Sequence, residues 1–158
     1  MSNLQVRQST EDRHCGACTA CCAYLTIPAG VVGADQKPYG VACPHAGPLG
    51  CRIHARRPRV CAGFACMWLR DTLWPPSWRP DRSGLLCVDT PLEPRVEVAT
   101  VYEIRPAALA KPEATDILNH LLRTTVALAI VDAQGRCAGA LGRTAVGQIA
   151  ETPSRKAG

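Results

Sequence analysis

A chain of 158 residues with 18 Lys and Arg against 13 Asp and Glu carries a formal charge of +5, too modest to make nucleic-acid attraction its organising property. Its length sits near that of one compact domain or two small ones. The opening MSNLQVRQSTEDRH holds no apolar run suited to a secretory signal, and no later stretch supplies the roughly eighteen apolar residues of a membrane span; LLRTTVALAIV at 121–131 is interrupted by Arg123 and two threonines. These features predict a cytoplasmic protein that neither crosses nor binds a membrane.

Eight of the ten cysteines fall between Cys15 and Cys66. In an oxidising compartment such a density forms disulfides, whereas in a reducing one the thiolates serve zinc, copper(I) or an iron–sulfur cluster. The expected compartment favours metal. The segment CGACTACC at 15–22 contains two overlapping CxxC spacings, Cys15 with Cys18 and Cys18 with Cys21, and each lets both sulfurs reach one tetrahedral ion or neighbouring irons of a cubane. As a loop, Cys15, Cys18 and Cys21 would be consecutive ligands. As a helix, steps of 3.6 residues would put Cys15, Cys18 and Cys22 on one face and turn Cys21 away.

Residues 23–50 alternate short apolar runs with glycine and proline, so they read as an irregular wrapping loop that returns Cys43 and Cys51 to the first cysteines. Residues 52–60 (RIHARRPRV) can start a helical turn, but Pro58 restricts Arg57 and divides it. Cys61 and Cys66 close the stretch. Few large apolar side chains occur from 1 to 83, and Phe64 is the only phenylalanine, so bound metal would contribute much of the stability of this half.

CxxCxxCC at 15–22, an isolated Cys43, GCxI at 50–53 and RPxxCxxFxC at 57–66 together resemble the zinc- or iron-chelating domains of the YkgJ-like, CxxCxxCC cysteine-cluster family. The resemblance covers roughly residues 14–68. It implies a metal site drawn from Cys15, Cys18, Cys21, Cys22, Cys43, Cys51, Cys61 and Cys66, four of which suffice for one zinc or one [4Fe–4S] cluster. Flagellin lysine N-methylases carry a related cysteine cluster, which bears on the cluster alone and not on the reaction. Two positions depart from the pattern: His54 stands where an aromatic is usual, and Ala62 where Arg is common. His54 makes a CxxH pair with Cys51, so it is either a ligand or a packing substitute for the aromatic. His14 and His45 read as solvated loop residues.

Seven arginines (52, 56, 57, 59, 70, 79 and 82) face only Asp71 and Asp81 between 52 and 82, with Trp68, Trp74 and Trp78 interleaved. A stacking surface for nucleic acid is one reading of this stretch. Arginines that offset thiolate charge, with tryptophans clamping two lobes together, are the reading adopted here. The Pro- and Trp-rich residues 71–83 are expected to be a stiff linker between a cysteine lobe at 15–70, preceded by a tail at 1–14, and a second lobe at 84–146.

In the second lobe, LLCVDT at 85–90 and RVEVATVYEI at 95–104 read as strands, with Val96, Val98 and then Val101 or Tyr102 half-buried. Pro112 suits the first position of a helix that buries Ala114, Ile117, Leu118, Leu121 and Leu122. TTVALAIVD at 124–132 and RCAGAL at 136–141 form a hairpin across DAQG. The expected fold is α+β: an irregular cysteine lobe, then a small antiparallel sheet with one helix in β-β-α-β-β order, ending in a polar tail at 147–158. Cys87 and Cys137 are expected to be small buried apolar residues. This lobe has no nucleotide-binding glycine run, nucleophile motif or HExxH. The sequence therefore predicts an accessory metal-binding protein, with an iron–sulfur-dependent redox or methyl-transfer enzyme component and a zinc-stabilised protein or nucleic-acid interaction module as alternatives.

Overall fold

Glycine, proline and cysteine leave the first half of the chain without long elements. The computed structural model describes residues 13–93, 96–143 and 149–151. Helix α1 (Ala20–Tyr24) is followed by a loop pinned by an isolated bridge between Ile27 and Lys37, then by the short hairpin of β1 (Ala46–Gly47) and β2 (Gly50–Cys51). A 3-10 turn at His54–Arg56 stops where Arg57 is extended at φ −63° and ψ 150°, the conformation that a following proline imposes, and α2 (Arg59–Ala62) restarts beyond Pro58.

Helix α3 (Met67–Arg70) leads into residues 71–83, which are not an extended spacer. They form a 3-10 turn at Pro76–Trp78 and helix α4 (Pro80–Ser83), each begun by a proline in its first turn, where its missing N–H costs no helical hydrogen bond. Gly84 then adopts the left-handed conformation (φ 80°) that ends α4 and redirects the chain into the sheet.

The sheet comprises β3 (Leu85–Glu93), β4 (Val96–Glu103), β5 (Ala127–Val131), β6 (Cys137–Arg143) and β7 (Ile149–Glu151), hydrogen-bonded in that order. Between β4 and β5 lies α5 (Pro112–Thr124), with Pro112 in its first turn, Glu113 beside the helix N-terminus, and Ala114, Ile117 and Leu121 buried, the pattern the sequence predicts. The class is α+β, but the sheet is mixed: β5 runs parallel to β4, with Val98 opposite Ala127, while the other neighbours are antiparallel. The physical reason is the crossover. A helix about 20 Å long carries the chain back to the starting end of β4, which makes a parallel return the natural outcome. β7 extends the sheet within the segment read as a polar tail.

Two apolar layers follow from the period-two alternation of β3. Leu85 and Cys87 face α5 and pack with Ala99, Val101, Leu128, Ile117, Leu121, Trp68 and Trp74. Leu86 points the other way and packs with Ala20 and Ile104, and partly buried Cys18, Cys21, Cys66 and Tyr102 join it. The cysteine lobe is thus the cover on the second face of β3. Because both faces are covered there, alternation alone does not fix the phase of β4: Val98 is half-buried as expected, but Ala99 and Val101 are the fully buried residues, and the Val96 side chain lies outside the described residues. Cys87 is buried as expected, whereas Cys137 is exposed on β6. Among the described residues no helix is long and apolar enough to cross a membrane.

Candidate metal centre

The residues 15–22 are half turn and half helix. The Cys18 N–H donates to the Cys15 carbonyl at 2.9 Å, closing a turn, and Cys21 and Cys22 follow at the start of α1. This hybrid brings all four sulfurs to one place, so neither the all-loop nor the all-helix alternative describes it. Cys15, Cys18, Cys21, Cys22, Cys43, Cys51 and Cys61 line a single cavity of roughly 130 Å³. Cys66, at the start of α3, lines an adjoining smaller cavity together with Cys15, Cys18 and Cys21. All ten cysteines are free thiols.

Each distant cysteine has its own means of delivery. The Cys43 N–H donates to the Cys22 carbonyl at 3.0 Å, so the wrapping loop is tied to α1 at the cysteine itself. Cys51 arrives on β2 and Cys61 on α2. Gly50 makes the delivery of Cys51 possible: its φ of +108° lies in the region that favours glycine, and a Cβ there would collide with the Gly16 carbonyl oxygen. Gly50→Ala is expected to push the hairpin off the Cys15–Cys18 turn and to cost at least about 1–3 kcal/mol from backbone strain alone. Urea unfolding of the variant beside the parent checks this, and an unchanged midpoint would refute the close approach.

The thiols do not share one environment. Burial pushes Cys15, Cys61 and Cys66 upward in pKa, and Cys87 further still. Cys21 and Cys22 act as a pair with sulfurs 3.9 Å apart. A hydrogen bond from the Cys21 thiol lowers Cys22 to about 7, against the effect of burial and with help from Lys37 and Arg57, while Cys21 is held protonated well above the usual thiol range. Among the described residues no three Cys, His, Asp or Glu side chains already stand at ion-holding separation.

Two cations that the sequence did not single out frame the cluster. Lys37 is buried, and its ammonium donates to the carbonyls of Ala23 (3.2 Å), Pro38 (2.9 Å) and Val41 (2.7 Å). Desolvation lowers its pKa, opposed by the nearby charges of Cys43, Cys22 and Cys21. Arg13 spreads its guanidinium over the carbonyls of Trp68 (2.6 Å), Asp71 (2.7 Å), Thr72 (3.0 Å) and Trp74 (2.5 Å), and stacks 4.7 Å from the Trp68 ring centre. A lysine in a Pro- and Gly-rich loop and an arginine in an apparent tail carry no sequence signal for such roles.

Of the histidines, His45 and His54 line the main cavity, but His54 Nε2 accepts a hydrogen bond from Arg57 at 2.8 Å, and His14 is exposed. The arginines are largely engaged: Arg70 pairs with Asp89 at 2.6 Å, Arg79 pairs with Asp81 at 2.8 Å and donates to the Cys15 carbonyl, and Arg82 donates to the Pro76 carbonyl. Trp68 and Trp74 are buried and Trp78 packs against their core, so the three do not present a stacking platform. The chain matches no protein-family model, no curated protein and no solved structure.

Proposed function

We infer that the cysteine lobe is a thiolate-rich metal-binding module that holds zinc or an iron–sulfur cluster in an accessory, structural role. The observation that supports it is the lining of one cavity by seven cysteines from four separate segments of chain. The donor set fits such a group: thiolates select zinc, copper(I) and iron–sulfur clusters over oxygen-seeking cations. The space fits too, since roughly 130 Å³ is about ten times the 10–15 Å³ needed by one water. Lys37 and Arg57 supply positive charge beside Cys22, which offsets the repulsion among gathered thiolates. Bound there, zinc or a cluster would cross-link segments that otherwise bury little apolar surface.

The test is anaerobic purification of the full chain followed by metal and acid-labile sulfide analysis, with parallel loading by zinc and by iron plus sulfide. Tight, stoichiometric uptake of either is expected, and serine at Cys15, Cys18, Cys61 or Cys66 should reduce it while serine at Cys137 should not. Visible charge-transfer absorption with bound sulfide identifies a cluster; colourless protein holding zinc identifies the structural ion. Failure to retain either would overturn the reading.

A further inference from the structure

Four thiolates complete one zinc or one cubane, yet eight converge here, and the cavities divide them. Cys22, Cys43, Cys51 and Cys61 line the larger cavity alone. Cys66 lines the smaller one alone, and Cys15, Cys18 and Cys21 form the wall between the two. An ion in the smaller cavity therefore has four sulfurs available, and assigning them to it leaves four for the larger.

Backbone ties follow the same division: the Cys43 N–H donates to the Cys22 carbonyl, and the Cys18 N–H to the Cys15 carbonyl. The inner set also rests on the sheet, since Cys18, Cys21 and Cys66 pack on the layer containing Leu86, whereas none of the outer four does.

Building on the metal-binding reading above, we propose that the lobe holds two tetrathiolate centres back to back: an inner one of Cys15, Cys18, Cys21 and Cys66 seated on the sheet, and an outer one of Cys22, Cys43, Cys51 and Cys61. The vicinal pair Cys21–Cys22, with sulfurs 3.9 Å apart, is the junction, each residue serving a different centre. Every clustered cysteine then has a role.

Anaerobic titration of the full chain with cobalt(II), a visible probe of tetrahedral thiolate sites, tests this, supported by zinc(II) titration read by native mass spectrometry. Two equivalents per chain are expected. Cys66→Ser and Cys51→Ser should each lose one and keep the other. Because a serine variant can fail to fold, the wild-type chain is also loaded with less than one equivalent of zinc, alkylated, and its singly loaded form mapped by fragmentation. Protection should fall on one foursome or the other within any molecule. Saturation at one equivalent, or protection that joins Cys66 with Cys43 or Cys21 with Cys22 on a single ion, overturns the two-centre arrangement and leaves thiolate metal binding standing. No uptake of cobalt, of zinc, or of iron supplied with sulfide overturns both.

Discussion

Stripping metal from the protein with a chelator is expected to open residues 43–66 to protease while β3, β4, β5 and α5 stay folded. The expectation comes from an imbalance between the halves. The second lobe buries Leu85, Ile117, Leu121 and Leu128 at 1% exposure or less, each contributing about 1.5–3 kcal/mol. The cysteine lobe has only Ala20, Ile27 and Cys43 buried between 13 and 66 among its apolar residues. A structural zinc supplies apparent energy of about 10–16 kcal/mol, comparable to the whole stability of a domain at about 5–15 kcal/mol. Cys15→Ser with Cys18→Ser should therefore loosen the lobe in the same direction, and combined with Cys43→Ser and Cys51→Ser it should reproduce the chelated state. Hydrogen exchange measured with and without chelator gives the readout; equal protection of residues 43–66 in both would sink the idea.

Trp74→Ala is expected to cost about 3–5 kcal/mol, the range for removing a buried large aromatic. At 2% exposure Trp74 meets Trp78 edge-on at 5.2 Å and His120 at 5.6 Å, and its indole N–H donates to His120 Nε2 at 3.1 Å. Trp74→Phe keeps much of the ring packing and loses that hydrogen bond, so it should cost less, with about 0.5–1.5 kcal/mol for the bond itself. Urea midpoints for the two variants separate packing from hydrogen bonding. A Trp74→Ala protein as stable as the parent would show that residues 71–83 do not belong to the common core.

What could be read from the sequence was what local chemistry decides. Pro112, Glu113 and the spacing of Ala114, Ile117 and Leu121 encode their helix within thirteen residues, and the Asp132–Arg136 turn is likewise local, with Asp132 Oδ1 accepting the N–H groups of Gln134 and Arg136. Strand direction is different. Nothing in the alternation of β4 and β5 reports whether they run parallel, because the side-chain period is two in both cases. Cys137 is exposed rather than buried for a related reason: strand membership does not say which face is covered. At the candidate centre, density and spacing pointed to all eight cysteines, but the cations Lys37 and Arg13 act on backbone carbonyls, and a carbonyl leaves no trace in the alphabet of side chains.

Arg13 also bears on the order in which the molecule can be assembled. Its acceptor carbonyls lie 55 to 61 positions further along the chain, so during synthesis from the N-terminus this latch has nothing to grip until the tryptophan segment has emerged. Closing so long a loop is not prohibitive, since each doubling of length adds only about 0.6 kcal/mol of entropy. Timing is the greater constraint. Cys15, Cys18, Cys21 and Cys22 emerge well before Cys61 and Cys66, and the nascent chain passes through a period in which its first thiols are accessible to donors and oxidants alike.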